Sequence, residues 1–311
     1  MTSLAPLGNG IPQKVDRMTI KELSTLKIFS QKRNRLAEAP CWSVRDNGLY
    51  WVDIPSQKLH FSKIDGTVSS WLFNQKISAV IEAKSGGLIL TLAKEIIHFD
   101  PKTKISTLLF DIDLDIPSNR SNDAKCDPWG NLWIGTMDDD EEGSSGRLHM
   151  MSPSFPPKII LDNIGISNTL AWDQKHNIFY FADSKVCEIY RISYMLENNI
   201  PQLGEREIFI KETELNIAPD GSTIDSDGFL WNAKWGGNKV VRYAQNGDIS
   251  HIIEVPAANV TSCCFGGIGN NHLFITTALD DPNMECGNEG MDGFVYVIEL
   301  SINGVETSLY G

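Results

Sequence analysis

The sequence predicts an all-β fold, a six-bladed β-propeller of four-stranded antiparallel blades. A turn carrying glycine or asparagine, followed by a run of aromatic and β-branched residues, recurs six times. The recurrences are marked by Gly48, Gly87, Gly130, Asn177, Gly228 and Asn271, at steps of 39, 43, 47, 51 and 43 residues. Four-stranded propeller blades repeat at roughly 40–50 residues. Helical patterning is nearly absent, and no linker separates the six units.

In chain order, Met1 to Lys21 reads as an N-terminal extension. It is polar, with glycine and proline scattered through it, and it lacks the apolar stretch of a secretory leader. Residues 22–311 read as a single propeller domain. A strand near Leu26–Phe29 is expected to pair with the last blade, because an open ring would leave unpaired sheet edges. The six turn-and-strand units supply one strand to each blade. Segments such as Leu59–Ile64, Ile96–Phe99, Gly146–Met151, Glu188–Ile192, Lys239–Tyr243 and Phe294–Leu300 alternate or run apolar like outer strands. Tyr194–Asn198 is expected to form a helical turn, and the stretches Asp111–Ser121 and Asn198–Pro219 are expected to be loops.

Composition narrows the function classes. At 41% hydrophobic and 22% charged the chain is an ordinary globular one, expected in the cytoplasm as a monomer or weak homo-oligomer. A net charge of −13 argues against a nucleic-acid partner. No apolar run approaches the ~20 residues that cross a bilayer, so no membrane partner is expected. The six cysteines form no C-x-x-C pair and read as reduced, mostly buried thiols. There is no G-x-S-x-G elbow, dinucleotide fingerprint, P-loop or EF-hand loop.

The segment Arg120–Thr136 is the unusual one. Arg120, Asn122 and Asp123 place a guanidinium, an amide and a carboxylate just ahead of a buried strand. Three polar groups entering a core at one point need partners. Either they satisfy one another, with Arg120 paired to Asp123, or they face a ligand cavity. A run of acids, Asp138–Glu142, follows the next strand.

Five motifs resemble the gluconolactonase/regucalcin (senescence marker protein) family of sugar lactonases. They are Glu38–Trp42 (EAPCW), Arg120–Asp123 (RSND), Ile166–Trp172 (ISNTLAW), Pro219–Asp225 and Thr261–Gly267, in order from about Leu26 to Leu300. The resemblance implies a six-bladed propeller with one divalent cation at the channel mouth, held by Glu38, Asn168 and Asp220. These hard oxygen donors suit Ca²⁺ first and then Mg²⁺ or Mn²⁺, with Zn²⁺ and Fe²⁺ as alternatives. It also implies that Arg120, Asn122 and Asp140 contact substrate. Asp220 is expected to act as general base as well as ligand. Two positions depart from the family, which has glycine where this chain has Ala39 and Thr169.

The implied activity is metal-assisted hydrolysis of a small sugar lactone to the aldonic acid. The alternative is a non-catalytic calcium-binding or regulatory propeller. Arg120 and Asn122 favour the enzyme, because a bare ion site needs no sugar-binding groups.

Overall fold

A computed structural model describes residues 26–284, 286–287 and 290–311; the expected extension, residues 1–21, lies outside them. The first strand, β1 (Lys27–Ser30), precedes five blades that run in chain order. Blade 1 is β2 (Ala37–Ser43), β3 (Gly48–Asp53), β4 (Lys58–Lys63) and β5 (Val68–Leu72). Blade 2 is β6 (Ile77–Glu82), β7 (Leu88–Leu92), β8 (Glu95–Asp100) and β9 (Ile105–Asp111). Blade 3 is β10 (Asn119–Cys126), β11 (Leu132–Asp138), β12 (Gly146–Ser152) and β13 (Phe155–Ile164). Blade 4 is β14 (Ser167–Asp173), β15 (Ile178–Asp183), β16 (Glu188–Glu197) and β17 (Ile200–Lys211). Blade 5 is β18 (Ala218–Ile224), β19 (Leu230–Trp235), β20 (Lys239–Tyr243) and β21 (Ile249–Glu254). Blade 6 joins β22 (Asn259–Gly266), β23 (His272–Ala278) and β24 (Val295–Glu299) to β1, which pairs antiparallel with β24. The ring closes as expected, with the chain's start supplying the outermost strand of its last blade.

All six marker residues fall at the turn between the first and second strands of their blades. The turns are built locally. In blade 3, Asp127 accepts hydrogen bonds from Trp129 N, Asn131 N, Asn131 Nδ2 and the indole of buried Trp133. Asp225 does the same in blade 5 for Asp227 N, Phe229 N and the Trp231 indole. A second-strand tryptophan can therefore be buried with its N–H satisfied.

The helical turn expected at Tyr194–Asn198 is not there. β16 stays extended through Glu197 and pairs with β17, Tyr194 opposite Leu203 and Leu196 opposite Pro201. Tyr194 is buried and meets Trp129 edge-on, which holds the strand alternation; Asn198 and Asn199 take positive φ and turn the hairpin. The two stretches read as loops are likewise partly strand. β17 occupies Ile200–Lys211, and β10 begins at Asn119. The only helical turn among the described residues is a 3-10 turn, Ser184–Val186.

The core is six apolar wedges, one between each pair of neighbouring blades. Trp231, Val240, Phe265 and Tyr296 lie between blades 5 and 6; Trp133, Trp172, Phe179 and Phe181 lie between blades 3 and 4. Ala37, Trp42, Trp51 and Phe274 join the last blade to the first. Cys41, Cys126, Cys263 and Cys264 are buried thiols in these wedges, and no disulfide forms among the described residues. The innermost strands surround a central channel with a cavity of about 750 Å³. Residues 303–311 cross its far end: Ser226 N donates to Asn303 O, Tyr310 N to Glu82 O and Gly311 N to Gly130 O. No helix among the described residues is long and apolar enough to cross a membrane.

His60 on β4 is fully buried beside Trp51, with Nδ1 against Ser70 Oγ at 2.7 Å and no partner for Nε2. Burial, aided by Lys32 and Lys58, holds its pKa down to about 3. The unfolded chain takes up a proton near pH 6.5 that the folded chain refuses, so this contribution is full above pH 6.5 and is lost as pH falls towards 3. Replacing His60 by Phe removes the titration. Denaturation at pH 7 and pH 5 is expected to show the variant losing about 2 kcal/mol less stability than the parent over that interval. Equal losses would show that His60 is not buried neutral.

Candidate functional site

Each of the six innermost strands carries one extra residue near its start. The pairing register slips between Glu38 and Cys41, Ile77 and Ala79, Ser121 and Ala124, Asn168 and Ala171, Pro219 and Ser222, and Val260 and Ser262. A bulge of this kind bends the strand and re-aims its side chains. Glu38, Asn122, Asp123, Asn168 and Asp220 all stand at or inside these bulges, at one level of the channel. Gly221 follows because β18 there touches β22: a Cβ on it would sit 2.1 Å from Ser262 Oγ.

The sequence motifs from blades 1, 3, 4 and 5 are therefore brought together. Asn122 Nδ2 donates to Ser167 O at 3.0 Å and reaches Asn168 Oδ1 at 3.4 Å. Asn168 Nδ2 donates to Ser184 Oγ (2.9 Å), which itself donates to Pro219 O (2.6 Å). Because Ser184 spends its proton on a carbonyl, it can only accept from Asn168. That fixes the amide's orientation and leaves Oδ1 on the Asn122 side. Ser184 was not singled out by the sequence; nothing in SKV marks it before the 3-10 turn is known.

Glu38, Asp123 and Asp220 form an electrostatic cluster. Asp220 and Asn168 are buried, whereas Glu38 and Asp123 are recessed with partial access to solvent. Burial and the neighbouring Asp123 push Glu38 up to about 8, against the Ala39 N–H and the cations Lys125 and Arg120. Asp220 is pushed well above the usual carboxylate range by burial and then by Glu38 and Asp123. Asp123 is raised by burial and lowered by Lys125 and by the N–H groups of Leu170 and Ala124. The Lys125 ammonium donates to Ser222 O at 2.5 Å in the same channel. Among the described residues no three His, Cys, Asp or Glu side chains form a metal-ligand set by themselves.

Arg120 is not paired with Asp123. Its Nε donates to Asp139 Oδ1 at 2.6 Å, and its Nη1 to Asn122 Oδ1 at 2.9 Å and Ser121 O at 3.0 Å. Nη2 makes no hydrogen bond to the described residues. Lys76 Nζ holds both oxygens of Asp139, at 2.6 and 2.8 Å. The acid that meets Arg120 is thus Asp139. Asp140 is exposed, and its N–H donates to Asp138 Oδ1 at 3.0 Å. Five consecutive acids carry no pattern that selects one of them; the return of the chain against Ser118, whose carbonyl accepts from Asp139 N, does.

Ala39 and Thr169 both take positive φ, 47° and 56°. The backbone at these two bulges keeps a left-handed geometry that glycine adopts without cost, and each L residue there is strained by about 1–2 kcal/mol.

Comparison with known proteins places the chain in a family. The family model described as "SMP-30/Gluconolactonase/LRE-like region" matches residues 36–279. A Sulfolobus acidocaldarius protein described as uncharacterized is 37% identical over 287 residues, covering 92% of this chain and 99% of its own. Human regucalcin is 30% identical over 299 residues, covering 93% and 99%. The crystal structure of a calcium-binding protein, regucalcin, from Agrobacterium tumefaciens superposes with a TM-score of 0.82 at 25% identity, covering 91% and 96%.

Proposed function

The chain belongs to the SMP-30/gluconolactonase/LRE-like family, and on that premise we propose that it is a metal-dependent sugar lactonase. The observation that carries the reading is the set of bulges that turns Glu38, Asn168 and Asp220 into one channel mouth beside Arg120 and Asn122. The donor set fits a hard divalent cation. The recessed Glu38 carboxylate repels the buried Asp220 carboxylate, Asp123 adds to that repulsion, and Asn168 Oδ1 is free of the Ser184 tie. Ca²⁺ is the first choice; the Agrobacterium relative is described as calcium-binding.

When bound there, a cation supplies Lewis-acid polarisation of the lactone carbonyl. Arg120, braced by Asp139 and Asn122, offers its Nη2 donors to a sugar oxygen. Asp220 accepts the proton of the attacking water at its carboxylate. Water adds to the carbonyl carbon, the ring C–O bond breaks, and the leaving alkoxide takes up the proton to give the aldonic acid.

The test is a proton-release assay over several aldonolactones, with and without chelator, beside calorimetric cation binding. Turnover abolished by chelator is expected; cation binding without turnover on any lactone would favour the non-catalytic calcium-binding alternative. Asp220→Ala should lose cation binding and activity together, and full cation affinity in that variant would remove Asp220 from the ligand set. Arg120→Ala should lower kcat/KM by about one to two orders of magnitude, through loss of charge-assisted hydrogen bonds, with cation affinity unchanged. Asp139→Ala should share part of that loss and Asp140→Ala should not. A fall in melting temperature without a kinetic change in Arg120→Ala would retire its substrate role.

A further inference from the structure

Thr169 is the most strained choice of side chain near the site. A β-branched residue at φ 56° is rare, and Thr169 is also fully buried. Its hydroxyl is fully committed. Thr169 Oγ1 contacts Asp220 O; a carbonyl has no proton, so threonine is the donor. Oγ1 then accepts from Asn232 Nδ2 at 3.2 Å and from Ser222 Oγ at 3.0 Å. Asn232 Nδ2 also donates to Asp220 O at 2.9 Å and to Ser222 Oγ at 3.0 Å. A glycine would fit this backbone without strain, and would leave the Asp220 carbonyl with one donor fewer.

We propose that Thr169 is a positioning residue: its hydroxyl ties the β18 bulge to the β14 bulge and so sets the separation of Asp220 from Asn168. The tie runs beside the second bridge between the same strands, from Asn168 through Ser184 to Pro219 O. Together they clamp two neighbouring donors on adjacent blades. Strained backbone persists where the surroundings over-determine it, and here two of the surrounding bonds, from Thr169 Oγ1 and Asn232 Nδ2, converge on the Asp220 carbonyl. The side chain meets Asp220 at its main-chain carbonyl, so its effect is exerted through Asp220.

This inference rests on the cation reading above. The experiment is calorimetric titration of Ca²⁺, Mg²⁺ and Mn²⁺ into the full chain, with the melting temperature of each variant measured without cation. Thr169→Val keeps the shape and removes the hydroxyl; Thr169→Gly also removes the strain; Thr169→Ser keeps the hydroxyl. Loss of a group that orients a ligand costs about 10–100-fold in metal affinity, so about tenfold weaker binding is expected for Val and Gly. Ser should bind within a factor of about two of the parent. The Gly variant should melt no lower than Val while binding as weakly, which separates positioning from stability and covers a Val variant that folds poorly. Val and Gly variants that bind as tightly as the parent would overturn the proposal alone. A parent chain that binds no divalent cation overturns the cation reading and this inference with it.

Discussion

One extra residue near the start of each innermost strand is the constraint on which the site depends. A strand with perfect alternation sends every second side chain into the wedge beside it, and none of the six strands could then crowd polar groups at one level of the channel. The bulge breaks that alternation where the blades approach one another most closely. It leaves backbone and side-chain groups that the ladder no longer uses, and neighbouring blades take them up. Thr261 Oγ1 donates to Ala37 O, Ser78 Oγ meets Ser121 Oγ, Asn122 Nδ2 donates to Ser167 O, and Thr169 donates to Asp220 O. The same irregularity therefore makes the site and helps to fasten blade to blade around it.

Electrostatics at that level is unbalanced by design of the channel. Asp123 raises Glu38 and both raise Asp220, while Lys125 is the cation set most directly against Glu38 and Asp123. Arg120 is drawn away by Asp139. The buried thiol of Cys264 nearby is pushed up to about 12 by burial and then by Cys263, out of the thiolate range.

The outer architecture follows simpler rules. Each wedge between blades is an apolar cluster of its own, so the molecule is held together pairwise around a ring, and the ring needs closure. β1 closes it on one side of blade 6, and the strap of residues 303–311 crosses the channel between turns of blades 5, 6, 2 and 3. Both ends of the described chain are used as fasteners, which protects an edge strand and the far end of the channel.

The repeat, the strand composition and the turn residues by themselves determined the number of blades, the place of each blade turn and the closing role of the first strand. These are local and periodic properties, set by alternation and by residues that tolerate turn backbone. The five motifs also pointed to Glu38, Arg120, Asn122, Asn168 and Asp220 as a group. What only the tertiary structure decided is who meets whom. Arg120 could have paired with Asp123, its neighbour in sequence, but the bulge turns Asp123 towards Leu170 and Ala124 while the returning chain delivers Asp139. Asp139 rather than Asp140 beside Arg120, and Ser184 as the residue that orients Asn168, arise where the chain folds back within one blade, and Thr169 as a tie to Asp220 arises from a contact between blades 4 and 5. Such contacts join residues that are far apart in the chain or sit in a featureless acidic run, so no sequence period encodes them; a one-residue slip in register moves a side chain to the other face, and only the packed ring shows where each slip falls.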